Sequence, residues 1–219
     1  MCSNYRAPTD MGRMQRHFAA ALDLPPPPGE TWPLDRAAVV RAADGPGTAR
    51  DATLGQFGLL PHWAKEPSFG RSTYNARSET AATKPSFRDA WRKGQRCVVP
   101  ADWIYEPCWE TGKAVRWRIA RADGAPLAIA GLWSRWQPTQ GEPVVTFTML
   151  TVNADGHELM QRFHKPGDER RMVVVLEGDE IDGWLTAPAA MMAAWMRRCP
   201  AERLVAAADP LPPRPRATS

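Results

Sequence analysis

Residues 115–119 read Val-Arg-Trp-Arg-Ile. The apolar side chains of Val115, Trp117 and Ile119 alternate with the cationic side chains of Arg116 and Arg118. Successive side chains of a β-strand point to opposite faces, so this alternation predicts a strand with one face on a core and one positively charged face. Such a strand needs partners, and the sequence on both sides supplies them.

Short apolar stretches bounded by glycine, proline or polar residues predict further strands, at residues 37–42, 53–60, 97–100, 103–106, 126–133, 144–152 and 172–176. Helices are predicted at residues 87–91, 179–185 and 188–198. A further helix is predicted after a cap at Thr9 or Asp10, because the apolar residues that follow recur at helical spacing, namely Met11, Met14, Phe18 and Leu22. Ser86 and Asp89 resemble a capping box. Residues 45–51 are predicted to form a turn, and residues 62–73 an exposed loop. This order predicts an α+β fold: a single domain of mixed β-sheets curled into a barrel-like core with peripheral helices.

The length of 219 residues suits one domain with a full core. We assign residues 1–208 to that domain and the proline-rich residues 209–219 to a disordered C-terminal tail. The chain contains no run of about 18 apolar residues and no apolar signal-peptide region near Met1, so a cytoplasmic protein without a membrane partner is expected. We also expect a monomer. The cysteines at 2, 97, 108 and 199 form no CxxC pair, so neither a metal nor another cofactor is expected.

Charge and aromatic content point towards a polyanionic partner. The chain carries a net charge of +4, and residues 65–96 contain eight basic side chains against three acidic ones. The ten tryptophans exceed what packing needs, and an exposed indole can stack on a nucleic-acid base. On this evidence alone, a solvated charged face is as good an explanation as a surface that follows phosphates.

The second residue offers a reaction that no internal cysteine can perform. If Met1 is removed, Cys2 carries a free α-amine beside its thiol, which makes a 1,2-aminothiol. The amine can form an imine with an aldehyde, and the thiol can then close a five-membered thiazolidine ring on the same carbon. An α-amine has a pKa of about 8, so a useful fraction is neutral at pH 7. The alternative is that Cys2 is simply the second residue of a frayed terminus.

Several segments place polar residues in apolar or turn-forming surroundings, and their pattern is that of a known family. They are Met1-Cys2, GLLPHWA (58–64), NARSET (75–80), RCVVPADWIYE (96–106), AGLW (130–133) and the set Thr151, Ala154 and His164. With these motifs, the sequence resembles the SOS response-associated peptidase (SRAP) family of abasic site processing proteins. The resemblance runs from Met1 to about Leu185.

The resemblance implies the fold of that family and a substrate, an abasic deoxyribose in single-stranded DNA, whose ring-opened form presents an aldehyde. Cys2 would form a covalent thiazolidine crosslink that protects the site during the DNA damage response. Asn75 would hold the amine and the sugar in register, Glu106 would donate a proton as the sugar opens, and His164 would move protons. An autoprocessing peptidase activity and an abasic-site lyase activity are also implied, and the protein would associate with the nucleoid when bound to DNA.

For the DNA, the resemblance points to Arg77 as a phosphate contact, to Arg162 and Arg171 as weaker candidates, and to Trp63 as part of a base-stacking wedge. The sequence departs from the family pattern at three places: Asn4 near the nucleophile, Pro107 after the acid, and residues 165–170 after His164. Two other hypotheses stay open at this point. One is a thiol peptidase acting on protein, and the other is a non-covalent single-stranded DNA-binding protein.

Overall fold

The computed structural model describes residues 2–20, 29–43 and 50–211. In chain order its strands are β1 (Tyr5–Arg6), β2 (Glu30–Thr31), β3 (Arg36–Ala42), β4 (Arg50–Phe57), β5 (Asn75–Arg77), β6 (Arg96–Ala101), β7 (Trp103–Cys108), β8 (Val115–Arg121), β9 (Leu127–Trp136), β10 (Val144–Asn153), β11 (Arg171–Val173), β12 (Val175–Leu176) and β13 (Leu204–Ala208). Its α-helices are α1 (Met11–Phe18), α2 (Ser78–Ala81), α3 (Arg88–Arg92) and α4 (Ile181–Thr186). Short 3-10 helices lie at Pro67–Ser72, Met160–Arg162, Gly178–Glu180, Ala189–Trp195 and Ala201–Arg203.

Five of these strands close into a barrel. Strand β10 pairs with β4 in parallel, and antiparallel pairings then run from β4 to β3, β6, β9 and back to β10. Closure leaves these strands without an open edge, which suits a buried β core. The predicted α+β fold with a barrel-like core is confirmed.

A second sheet, in the order β13-β8-β7-β1-β2, packs beside the barrel. The segment with alternating apolar and basic residues at 115–119 lies in β8, between β7 and β13. The two sheets share one core, since Tyr5 of β1 meets Phe57 of β4 edge-on at 5.4 Å and Phe57 stacks on Phe147 of β10 at 5.3 Å. Aromatic pairs at these separations favour such geometries. The N-terminal segment is therefore anchored to the barrel within five residues of its start.

The helices lie where the sequence predicted them, but their caps and ends differ from the prediction. Helix α1 is capped by Asp10, whose side chain accepts a hydrogen bond from the Arg13 amide at 3.0 Å, while Leu22 lies outside the described residues. The capping box at Ser86 and Asp89 was wrong: α3 begins at Arg88, and its N-cap residue Phe87 makes no side-chain cap hydrogen bond.

Other predicted boundaries also change. Residues 188–198 contain a 3-10 helix at Ala189–Trp195 and no α-helix, and the loop 62–73 contains another at Pro67–Ser72. Of the predicted turn 45–51, residues 45–49 lie outside the described residues, and the last two belong to β4. Asp209, assigned to the tail, is bonded to the second sheet, because its amide donates to the Arg116 carbonyl at 3.0 Å. The rest of the tail beyond residue 211 is outside the described part of the chain.

Candidate functional site

Strand pairing brings the N-terminal segment alongside the acidic end of β7. In the β1–β7 ladder Tyr5 lies opposite Ile104, and one step earlier the Tyr105 amide donates a hydrogen bond to the Asn4 carbonyl at 3.0 Å. The residues before Asn4 therefore run beside Glu106. A two-residue strand thus fixes where Cys2 sits.

A side-chain amide holds Cys2 from the other side. Asn75 opens β5, which runs parallel to β10, and its Nδ2 donates a hydrogen bond to the Cys2 carbonyl at 2.7 Å. The Cys2 thiol is buried at 2 % exposure and donates a weak hydrogen bond to the Asn4 carbonyl, with a sulfur-to-oxygen distance of 3.4 Å. Burial, and next the charge of Glu106, raise the pKa of this thiol well above its usual value. At neutral pH the group is a thiol and not a thiolate.

Glu106 lies on the inner face of β7 and is only 2 % exposed. Burial raises the pKa of its carboxyl to about 7, because a low-dielectric setting disfavours the charged form. At neutral pH, both the acid and its conjugate base are therefore populated, which is the condition that favours general acid–base catalysis.

His164 is placed beside Glu106 by an unusual backbone conformation. Its φ of 70° lies in the left-handed region, and its amide donates to the Pro107 carbonyl at 3.1 Å. The ring Nε2 is 3.8 Å from Glu106 Oε2, and burial lowers the pKa of the imidazole to about 4. The environment thus pushes the two pKa values apart, leaving a carboxyl that can donate a proton beside an imidazole that is neutral.

Cys2, Asn75, Glu106 and His164 together form what we call the Cys2 cluster. The sequence motifs named all four members, which come from four separate segments of the chain. Sequence reasoning missed Tyr74, which directly precedes Asn75 and meets the ring of Phe57 at 5.7 Å. Burial, and then the charges of Cys2 and Glu106, raise the pKa of its phenol. The signal was available, since Tyr74 directly precedes the NARSET motif.

Two of the candidate DNA contacts lie at the surface. Arg77 is on the same face of β5 as Asn75, because side chains two apart in a strand share a face, and its side chain is 46 % exposed. It forms an ion pair with Glu169 at 2.7 Å, and Glu169 belongs to the segment 165–170 that departs from the family pattern. Trp63 is 45 % exposed and packs edge-on against Phe69 at 5.2 Å, beside an open cleft of about 450 Å³.

Arg162 is a partly exposed residue that is already paired. Its guanidinium binds both carboxylate oxygens of Glu110, at 2.9 and 3.1 Å, and lies over the ring of Trp117 at 4.6 Å. A phosphate would have to compete with Glu110 for these donors.

Comparison with known proteins identifies the family. The profile of the SOS response associated peptidase (SRAP) family matches residues 1–208. The chain belongs to the SRAP family. Four of the six motifs that suggested this resemblance contribute the members of the Cys2 cluster.

The SRAP domain has curated relatives named for abasic sites. It is 36% identical over 133 residues to "Abasic site processing protein YoaM" of Bacillus subtilis, covering 59% of this chain and 54% of that protein. It is 33% identical over 159 residues to "Abasic site processing protein HMCES" of Gallus gallus, covering 59% of this chain and 44% of that protein. The matched region thus spans about half the length of these relatives, or less.

Solved structures share the SRAP fold. A crystal structure from Bordetella bronchiseptica superimposes with a TM-score of 0.87 at 44% identity, covering 96% of this chain and 100% of the other. A second, from Bacteroides thetaiotaomicron, has a TM-score of 0.80 at 21% identity, covering 94% and 91% of the two chains. At that lower identity the likeness shows the fold alone.

Arg171 does not suit the role of a phosphate contact in this SRAP domain. It is 2 % exposed, and its guanidinium donates to both carboxylate oxygens of Glu79 at 2.9 and 2.8 Å, to Glu169 at 2.8 Å and to the Thr151 carbonyl at 2.8 Å. The prediction that Arg171 contacts DNA is therefore corrected, because its donors are turned inward. Its position indicates a structural role, tying the NARSET segment to β10 and β11.

Replacing Arg171 with methionine should destabilise the SRAP domain by about 1.5 to 3 kcal/mol, since it removes charge-assisted hydrogen bonds from a buried guanidinium to carboxylates that stay partly solvated. The matched control is Arg162→Met, which breaks a partly exposed pair and should cost less than about 1 kcal/mol. Urea unfolding followed by circular dichroism measures both. Equal losses in the two variants would contradict a structural role for Arg171.

Within residues 2–20, 29–43 and 50–211, His, Cys, Asp and Glu side chains form no group of three that could hold a metal ion. In the same part of the chain, no helix combines the length and apolarity needed to cross a membrane.

Proposed function

We propose that this SRAP protein binds single-stranded DNA and forms a covalent thiazolidine crosslink between Cys2, after loss of Met1, and a ring-opened abasic deoxyribose. The observation that carries the proposal is the hydrogen bond from Asn75 Nδ2 to the Cys2 carbonyl at 2.7 Å. This hydrogen bond holds Cys2, which would become the N-terminal residue, next to the buried carboxyl of Glu106 and the neutral imidazole of His164. The names of the curated relatives supply the substrate class.

The proposed reaction balances without a cofactor. The Cys2 α-amine attacks C1′ of the sugar aldehyde, and water leaves to give an imine. The thiol sulfur then adds to the same carbon, and the thiol proton passes to the nitrogen. The product is the sum of protein and DNA less one water. The second step is intramolecular, and well-oriented intramolecular reactions have effective molarities of roughly 10⁵ M or more.

Glu106 and His164 would divide the proton transfers. The buried carboxyl donates a proton to the ring oxygen as the sugar opens, recovers one from the C1′ hydroxyl that becomes the aldehyde, and then donates to the departing hydroxyl during imine formation. The neutral imidazole would relay protons from the amine and the thiol to the Glu106 carboxylate, because the thiol must lose its proton for the ring to close. With a pKa of about 7, Glu106 can both give and accept a proton at neutral pH, whereas a pKa of about 4 keeps the His164 imidazole neutral and makes it the weaker base.

Arg77 would contact a phosphate next to the abasic residue, exchanging its ion pair with Glu169 for one with DNA. Arg77→Ala should therefore weaken binding to single-stranded DNA and reduce the magnitude of the salt slope, d log K/d log[salt], by about 0.7, the value for one phosphate contact. Fluorescence anisotropy at a series of salt concentrations measures this slope. The control Arg16→Ala removes an exposed charge from α1, so an equal change of slope in that variant would contradict the contact.

A direct assay tests the proposed function against the other hypotheses. Purified protein is incubated with a single-stranded oligonucleotide containing an abasic site, or with the same oligonucleotide intact, and separated on a denaturing gel. A covalent band is expected with the abasic substrate only. Complexes that dissociate in salt, without any covalent band, would instead indicate a non-covalent binder. A general protease would also cleave casein. We propose that the peptidase activity of this protein is limited to removal of Met1, because the buried Cys2 thiol is poorly ionised.

A further inference from the structure

A second cleft opens immediately beside the N-terminal segment. It has a volume of about 310 Å³, and its lining includes Asn4, Trp32, Tyr105, Glu106, Pro107 and Arg116. Two of these residues, Asn4 and Glu106, lie next to Cys2 through the β1–β7 pairing described above. Whatever binds in this cleft therefore sits beside the atoms that would react.

Trp32 gives the cleft an exposed flat ring on a fixed support. Its side chain is among the few large apolar ones left at the surface of the described residues, at 45 % exposure. The backbone beneath it is held in a turn: the Trp32 amide donates to Asp35 Oδ2 at 2.9 Å, and the Asp35 amide donates to the Trp32 carbonyl at 2.9 Å. An exposed indole carried on a hydrogen-bonded turn can serve as a stacking platform for a base.

The charges around the cleft disfavour a phosphate. Arg116 is the cation of the lining residues, and its guanidinium is bonded to both oxygens of Glu30 at 3.0 and 3.2 Å and lies 3.6 Å from Asp209. The same guanidinium covers the ring of Tyr105, 4.2 Å from its centroid, and the Tyr105 hydroxyl also donates to Glu30. These contacts neutralise the cation, so the cleft suits an uncharged planar group better than an anion.

We propose that this cleft is a nucleobase subsite, in which the base of a nucleotide adjoining the abasic residue stacks on Trp32. The proposal rests on the proposed function, because it takes the abasic sugar to lie at Cys2. Three observations support it: continuity with the Cys2 cluster, an exposed indole on a hydrogen-bonded turn, and a guanidinium already neutralised by Glu30.

The test compares Trp32→Ala and Trp32→Phe on two abasic oligonucleotides. One carries ordinary bases on both sides of the abasic site, and the other carries stable baseless tetrahydrofuran residues there. Trp32→Ala should slow crosslinking about tenfold on the first substrate at subsaturating DNA, as expected for the loss of one stacked base, and should have no effect on the second. Trp32→Phe should retain most of the wild-type rate, and Met191→Ala, which shortens another exposed apolar side chain, should match wild type on both substrates.

An equal loss for Trp32→Ala on both substrates, or no loss on either, would overturn the subsite. Failure of the proposed function has a different signature, namely no covalent band with wild-type protein on either substrate. In that event, anisotropy with an unreactive tetrahydrofuran site in place of the abasic site still tests the subsite. The same tenfold loss of affinity is then expected for Trp32→Ala, only where flanking bases are present, and its absence would overturn the proposal.

Discussion

Replacing Cys2 with alanine is expected to abolish the covalent adduct with abasic single-stranded DNA while leaving reversible binding nearly unchanged. The alanine variant keeps an α-amine but lacks the sulfur that closes the ring, so only a hydrolysable imine can form. The side chain removed is small, and its weak hydrogen bond to the Asn4 carbonyl contributes little to stability. A denaturing gel and an anisotropy titration measure the two properties separately.

Cys2→Ser is the informative companion to this variant. It preserves the amine and the size of the side chain but offers a hydroxyl, which is a much poorer nucleophile than a thiol for ring closure. An adduct that appears only after reduction with borohydride is expected, because borohydride traps the imine. A stable, unreduced adduct of wild-type yield in Cys2→Ala would place the attachment elsewhere in the chain and contradict the proposal.

Glu106→Gln is expected to slow crosslinking by about 10² to 10⁴-fold, the range typical for loss of a general acid. Glutamine has nearly the same shape but cannot give up a proton, so reversible DNA binding should persist. In the wild type, the acid with a pKa of about 7 should make the rate fall as the pH rises above 7. Single-turnover rates from pH 5.5 to 9 measure both effects. A glutamine variant that keeps the wild-type rate and pH dependence would remove Glu106 from the mechanism.

The same substitution should stabilise the folded protein at alkaline pH. The pKa of Glu106 is raised in the folded state from a usual value of 4.5 to about 7, so the folded protein binds this proton more tightly than the unfolded chain. Its contribution to stability is therefore present below pH 4.5 and is lost as the pH rises through 7. Glu106→Gln should gain about 2 to 3 kcal/mol over the wild type at pH 8, and this gain should disappear near pH 4. Urea unfolding at the two pH values provides the measurement.

The residues that a local pattern can identify were predicted well. The alternation of apolar and basic residues at 115–119 predicted β8. Apolar stretches bounded by glycine, proline or polar residues predicted the barrel strands to within a few residues. The four members of the Cys2 cluster were named from the motifs that carry the family resemblance; the structure brings them together, and their catalytic roles stay predictions.

Features that depend on distant pairing were not predicted. The two-residue strand β1 and the three-residue strand β5 are too short to show a period, yet they place Cys2 and Asn75. Strand β13 reads Leu-Val-Ala-Ala-Ala, which has no alternation of polar and apolar residues and gains its structure from pairing with β8. The burial of Arg171 likewise follows from the carboxylates of Glu79 and Glu169, which only the fold brings together.

The most direct test of the account is the intact mass of the purified protein–DNA adduct, before and after borohydride treatment. The account predicts a mass equal to the protein without Met1 plus the abasic oligonucleotide less one water, unchanged by borohydride because a thiazolidine contains no imine to reduce. An adduct that retains Met1 would show attachment through another amine, and one that gains two hydrogens on reduction would show an imine that has not closed to a thiazolidine. Either result would contradict the central claim that the amine and thiol of Cys2 jointly capture the sugar.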